Sequence, residues 1–419
     1  MNTFTYVFVA ALILAHAVEF WLTRRQVAHV LNHRDSVPEE FEGSITLDAH
    51  QKAADYTIEK NRLTKFSSIL DIALLMYFTV GGGISMFAGV WAEFGLSPIA
   101  SGTGLMMSIF LISHMVELPL SIYQTFTVEE KFGFNRSTPK QFMIDQALEL
   151  CLIVALGTPL IMVILWVMAD VGTLWWLLAW LILMAFSLFL TWAYPTFIAP
   201  LFNKFTLLDN QELKTRIEAL LDRCGFSSKG IFVMDGSRRS GHGNAYFTGF
   251  GSNKRIVFFD TLLETLEPEE VEAVLAHELG HFKRRHVIKM MVSSSLMSLI
   301  GLAILGWIAQ QHWFYSGLGV TTPSDASALI LFVLVSPVFT VFMQPITAYF
   351  KRKHEFEADD FASMFAKSSA LISALIKLYR DNAATLTPDP LYTAFHYSHP
   401  PASVRIANLS KKGVRVSSA

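Results

Sequence analysis

His277-Glu278-Leu279-Gly280-His281, led in by Pro268-Glu269-Glu270-Val271-Glu272-Ala273-Val274-Leu275-Ala276, is the stretch from which the rest of the chain is read. Pro268 suits the first position of a helix, Glu269 and Glu270 suit its first turn, and Val271, Val274, Leu275 and Leu279 follow at spacings of three and four. One helix through both histidines is predicted. Positions i and i+4 share a helical face, so His277 and His281 present two imidazoles to one Zn²⁺, with Glu278 beside them as a base for water. This is the donor pattern of a zinc peptidase. The plain alternative is a pair of surface histidines on an amphipathic helix with an ion-paired glutamate.

The surrounding chain is far from soluble in character. Of 419 residues, 52% are hydrophobic and only 16% charged, with a mean hydropathy of +0.41, whereas soluble domains carry about a quarter charged residues. A formal net charge of −2 and the lack of a dense lysine-arginine cluster argue against a nucleic-acid partner; membrane lipids are the expected surroundings. Cys151 and Cys224 provide neither a disulfide framework nor a metal knuckle.

Seven segments approach the ~20 apolar residues that span a hydrocarbon core: Thr3 to Leu22, Ser67 to Ala92, Ile99 to Tyr123, Ala147 to Ala169, Thr173 to Ile198, Val287 to Ala309 and Ala326 to Phe350. The first has no basic lead and no clear cleavage site, so it reads as a retained span. Lysine and arginine fall in the connections after the first, third, fifth and seventh spans and are missing from the others. The positive-inside rule then places the N-terminus outside and the catalytic segment in the cytoplasm. The compact loops suggest a bacterial inner membrane. Gly81-Gly82-Gly83 reads as a kink within a span, because no phosphate-loop lysine follows it.

The expected fold class is mostly α, a polytopic membrane protein of about seven transmembrane helices with a small α+β zinc metalloprotease domain. Its expected parts are residues 1–200 (five spans with cytoplasmic connections), 201–286 (a cytoplasmic catalytic segment), 287–350 (two spans) and 351–419 (a segment completing the catalytic domain). Within the second, Asp209 is expected to cap a helix over Glu212 to Asp222. Short strands follow at Ile231 to Met234, Ala245 to Thr248 and Arg255 to Phe259, with a turn at Asp235-Gly236. His16, Glu19, Asp71, His114, Glu117 and Glu149 lie in the spans, where charge is costly, and are expected to line a wet interior or to pair between helices.

A catalytic zinc needs a third protein ligand and an open fourth position. After the last span, Lys351-Arg352-Lys353-His354-Glu355-Phe356-Glu357-Ala358-Asp359 should continue as a helix. Glu355 and Asp359 are one turn apart, so one can ligate the metal while the other reaches a ligand histidine; Glu357 points off that face. His242 and His286 lack the spacing to join His277 and His281 on the ion.

HELGH followed after two spans by basic-basic-x-x-Glu-x-x-Ala-Asp resembles the type I CAAX prenyl proteases, integral-membrane zinc endopeptidases of the gluzincin kind. Further matches are Glu129 to Asn135, Leu201 to Thr206, Asp235 to Gly249 and His396-Tyr397-Ser398-His399-Pro400-Pro401. Lys351 and Leu207 depart from the family's usual serine and proline, away from the chemistry. The resemblance implies that His277, His281 and Glu355 bind one zinc, that Glu278 is the general base and that Asp359 orients a ligand histidine. It also implies that His399 stabilises the tetrahedral intermediate and that the Asn244-Ala245 strand lies along the substrate. Arg405 is a candidate to supply or position a further donor, and His242 joins Asn244 and Ala245 among the substrate-binding candidates.

The function expected is therefore a membrane-embedded zinc endopeptidase acting on a peptide or protein substrate. If the family parallel extends to substrate, it removes the last three residues of prenylated CAAX peptides. Alternatives are a general quality-control protease for membrane proteins and a transporter with a structural zinc.

Overall fold

The computed structural model describes residues 2–228, 230–248 and 255–417; Gly249, the last residue of one motif named above, lies outside them. Long helices dominate: α1 (Thr3–Asn32), α2 (Leu47–Phe78), α3 (Gly83–Glu93), α4 (Pro98–Tyr123), α5 (Pro139–Asp170) and α6 (Trp175–Ala193), with a short α7 (Ala199–Phe202). Ser97 and Thr138 accept hydrogen bonds from Ala100 and Gln141 backbone N–H groups, and Pro98 and Pro139 take the first helical positions, which fixes where α4 and α5 start.

Six helices among the described residues are long and apolar enough to cross a membrane, and a seventh span exists if α2 and α3 are counted together. In that pair the span expected over Ser67 to Ala92 is broken at the glycines expected to kink it. The chain bends by 56° between α2 and α3, and Gly82 sits there at φ +80°, a left-handed conformation that favours glycine. Two other helices continue well past the bilayer-length segments. α1 adds ten residues beyond Leu22, and α5 starts at Pro139, ahead of Ala147.

Beyond the fifth span lies a four-stranded sheet of order β1-β2-β4-β3, made of β1 (Phe205–Leu207), β2 (Ile231–Met234), β3 (Ala245–Thr248) and β4 (Arg255–Phe259). β4 pairs parallel with β2 and antiparallel with β3, with Ala245 opposite Phe258. β3 is thus an edge strand. The three anticipated strands have the anticipated bounds; β1 was not anticipated, being three residues long with two of them exposed. The cap of α8 (Gln211–Arg223) is Asn210, not Asp209: its side chain accepts from Leu213 N–H at 3.0 Å. Both residue types cap well, so composition alone does not choose between neighbours.

α9 (Asp260–Thr265) leads into α10 (Pro268–Lys283), which carries HELGH, and α11 (His286–Ile308) returns to the membrane bundle. After α12 (His312–Gly317) and α13 (Asp325–Thr340), α14 (Gln344–Phe365) leaves the bundle and packs on α10. α15 (Ser368–Asp381), α16 (Pro390–His396) and α17 (Ala402–Ser417) close around that pair. Leu220, Phe258, Leu262, Leu275, Leu279 and Leu371 form one buried cluster about α10, each contributing about 1.5–3 kcal/mol of apolar burial. A separate cluster, including Phe8, Ile109, Leu165, Leu305 and Leu331, ties the membrane helices together.

Candidate metal centre

Gly280 decides how closely the two ligand-bearing helices approach. A Cβ there would stand 2.9 Å from the Ala358 Cα and 3.0 Å from its carbonyl oxygen, so only glycine lets α10 lie against α14 at this distance. The approach brings His277 and His281 from one helix to Glu355 of the other. The Nε2 atoms of His277 and His281 are 3.2 Å apart, Glu355 Oε1 is 3.2 Å from His281 Nε2, and Glu355 Oε2 is 3.5 Å from His277 Nε2.

The edge of a tetrahedron around zinc is ~3.3 Å for bonds of about 2.0–2.1 Å, and these contacts, which reach both oxygens of the carboxylate, are of that size. Among the described residues Glu355 Oε2 is buried with no well-formed hydrogen bond, only His277 Nε2 at 3.5 Å and an Arg405 nitrogen at 3.4 Å, so a bound cation would complete it. The donor set therefore fits a divalent metal. Among the described residues, this is the group of histidine, cysteine and acidic side chains with metal-binding geometry.

The atoms behind the ligands are also committed. Asp359 Oδ1 lies 2.8 Å from His277 Nδ1, and Arg405 donates to both Asp359 oxygens at 2.9 and 2.6 Å. A ring that offers Nε2 to a metal holds its proton on Nδ1, so Asp359 accepts from His277 and fixes the ring plane. Burial and the Arg405 charge press His277 toward neutrality, but hydrogen bonds to Asp359 and Glu355 outweigh them and raise its pKa to about 9 in the metal-free chain. Metal binding must expel that proton.

His281 is held by residues the sequence reading left aside. Its Nδ1 is 3.1 Å from His286 Nδ1, and His286 Nε2 is 3.0 Å from Glu357 Oε2. With His281 donating from Nδ1, His286 accepts on Nδ1 and donates from Nε2 to the carboxylate. His354 stacks on His286 at 4.0 Å between ring centroids. No local period could have revealed this, because His286 opens the next helix after Arg285 has turned the chain at φ +57°.

Glu278 faces the same hollow, where burial pushes its carboxyl above the ordinary range. That hollow is a cavity of about 1060 Å³ lined by His277, Glu278, His281, Glu355, His399 and Arg405, and also by His242, Asn244 and Ala245. Its size suits a peptide of several residues. His399 Nε2 is 3.5 Å from Glu355 Oε1, and its Nδ1 is 2.9 Å from Ser398 Oγ. Arg405 is buried on Asp359, with a third nitrogen 3.4 Å from Glu355 Oε2. His242 is away from the metal ligands, stacked on Phe134 at 4.2 Å and in contact with Asn382 and Glu129. Of the ionisable residues in the spans, Glu19 meets His396 of the cavity wall at 3.2 Å, while Asp71, Glu117 and Glu149 stay exposed.

Comparison with known proteins gives the same answer along the whole chain. Residues 26–204 match the model of the CAAX prenyl protease N-terminal region with five membrane helices, and residues 207–412 match peptidase family M48. The chain is 34% identical to the CAAX prenyl protease 1 homolog of Dictyostelium discoideum, covering 98% of each. It is 32% identical to CAAX prenyl protease 1 of Saccharomyces cerevisiae, covering 93% of this chain and 92% of that one. The crystal structure of S. mikatae Ste24p superposes with a TM-score of 0.89 at 32% identity, covering 98% of this chain and 99% of that chain. The peptidase family match and the full-length relatives replace the transporter reading, and the chain belongs to the M48 peptidases of CAAX prenyl protease 1 type, integral-membrane metalloproteases.

Proposed function

We propose that the chain holds one zinc through His277, His281 and Glu355 and hydrolyses peptide bonds in the cavity, and that its substrates are prenylated peptides from which the last three residues are removed. The observation that carries the reading is the convergence of two imidazole nitrogens on the Glu355 carboxylate, with contacts of 3.2–3.5 Å, beside Glu278 in a peptide-sized hollow. When bound, the metal polarises the scissile carbonyl and lowers the pKa of water. Glu278 takes the proton of the attacking water and hands it to the departing amine, a role suited to a carboxyl raised by burial. Asp359, itself gripped by Arg405, keeps the His277 ring in register, so Arg405 acts through the ligand carboxylates as a positioning group. His399 supplies a donor to the oxyanion. Asn244 and Ala245, at the start of an edge strand, accept the extended peptide by backbone hydrogen bonding.

The catalytic domain in this proposal is composite, drawing on 201–286 and 351–419, and faces the cytoplasm of a bacterial inner membrane. The lysine-arginine asymmetry of the connections supports the orientation. The substrate class follows from the relatives' activity as CAAX prenyl proteases. Purified zinc-loaded protein is to be given matched peptides with and without a prenyl group, together with an unfolded membrane protein. Preferred cleavage three residues from the end of the prenylated peptide is expected; equal cleavage of all three favours a quality-control protease instead.

A further inference from the structure

On the side of the cavity formed by α2, Tyr56, Thr57, Lys60, Asn61 and Thr64 recur at helical spacing and give the hollow one polar wall. Two cations line the cavity among its described residues, and they differ in commitment. Arg405 is buried with both carboxylate oxygens of Asp359. Lys60 is exposed, makes no ion pair within 4 Å among the described residues, stands 5.0 Å over the Tyr56 ring, and acts on Glu129 only through space. The neighbouring acid, Glu129, has its oxygens taken by the Tyr56 hydroxyl at 2.6 Å and by His242 at 3.4 Å.

Asn61, one residue on, is only 7% exposed. Its Nδ2 donates to Thr57 O at 2.8 Å, which settles the amide's orientation, and its Oδ1 is left buried with no donor. A buried acceptor without a partner costs about as much as a lost hydrogen bond, so an N–H from a bound molecule is the natural complement. An ammonium outside any close ion pair and an unsatisfied amide acceptor on the next residue, both lining one cavity, match one chemical group on a peptide: a terminal residue with its free carboxylate and its own backbone N–H.

We infer that Lys60 and Asn61 form a subsite for the free C-terminus of the peptide substrate. Lys60 takes the terminal carboxylate and Asn61 Oδ1 accepts the N–H of the last residue. Leu262, Leu371, Leu375 and Leu378 line the same cavity and offer apolar surface to the side chains between that terminus and the metal. The subsite rests on the endopeptidase reading and adds to it a physical reason for cutting near a chain end: the cavity carries one free positive charge, and a short apolar C-terminal segment carries one negative charge.

The test uses the full-length, zinc-loaded protein and one prenylated peptide made as the free acid and as the C-terminal carboxamide. Wild type should cleave the acid with a kcat/KM about tenfold above the amide, mostly through KM, as expected for one charge-assisted contact. Lys60→Met should lower the acid to the level of the amide, while Lys60→Arg should keep the preference. Asn61→Leu should weaken both peptides together. Inhibition by the released tripeptide, as acid against amide, should follow the same ranking. Equal cleavage of acid and amide by wild type, or a full preference retained in Lys60→Met, overturns the subsite while leaving the peptidase intact. Failure of wild type to cleave either peptide removes both readings. Unchanged zinc content and melting temperature in the Lys60 variants exclude misfolding as the cause.

Discussion

Across one cavity, α10 with α14 and the cytoplasmic part of α2 treat their polar atoms in opposite ways. On the metal side, both ligand histidines have a partner behind them: Asp359 and Arg405 behind His277, His286 and Glu357 behind His281. On the α2 side, among the described residues, Lys60 has no close ion pair and Asn61 Oδ1 has no donor. Geometry that must be held before substrate arrives is over-determined by hydrogen bonds, whereas a wall that reads substrate keeps capacity in reserve. Preorganisation of this kind fixes ring planes and carboxylates without asking the substrate to do so.

The largest expected effect comes from Glu278→Gln, which should lower kcat by about 10²–10⁴-fold with zinc content unchanged by elemental analysis. A variant that still hydrolyses peptide at the wild-type rate would remove the general base from the mechanism. Removing the metal with a chelator should abolish hydrolysis and readdition of Zn²⁺ should restore it, while the membrane bundle, whose buried cluster is separate from the site, stays folded by far-UV circular dichroism.

Next is the support behind His281. His286→Phe keeps a ring of similar size but accepts no hydrogen bond, and should weaken zinc binding by about 10–100-fold in a chelator competition. An unchanged affinity would show that His281 holds its orientation by packing alone. Gly280→Ala places a methyl against Ala358 backbone and should cost about 1–3 kcal/mol of stability while weakening zinc binding, because backbone rather than a flexible side chain must shift. Thermal unfolding with and without zinc separates the two contributions.

The smallest effect is at the far end of α10. Burial draws Glu270 upward, but Lys377 Nζ at 2.7 Å, the Ser373 hydroxyl at 2.6 Å and the Glu267 backbone hold its carboxyl below the ordinary range. A carboxylate whose folded pKa is depressed stabilises the fold above its ordinary pKa, and that contribution is lost as pH falls through the folded value. Lys377→Met should therefore cost about 1 kcal/mol at neutral pH, and the gap in Tm from wild type should close as the medium is acidified below the usual glutamate range. A gap that widens on acidification would give the pair the opposite sign.

Much of this was legible in the residues because it is local. Apolar runs of bilayer length, caps such as Ser97-Pro98 and the i, i+4 pairing of His277 with His281 each depend on a few neighbouring side chains. Ile231–Met234 and Arg255–Phe259 could be drawn to the residue because apolar runs ended there in turn formers. Phe205–Leu207 could not, since a three-residue strand exists only through its partner β2. Gly81-Gly82-Gly83 announced a kink but not its 56° bend.

By itself, then, the sequence determined a membrane-spanning helical chain with two imidazoles and a base on one helix face, because hydropathy and helical period act over short range. Local period left Glu355 and Asp359 equivalent and only the resemblance ranked them; the tertiary structure sets Glu355 against the two imidazoles and Asp359 behind His277, holds Asp359 with Arg405, and brings His286 back to His281. Two carboxylates one turn apart have the same local period; only the packing of α14 on α10, close because Gly280 carries no side chain, tells them apart.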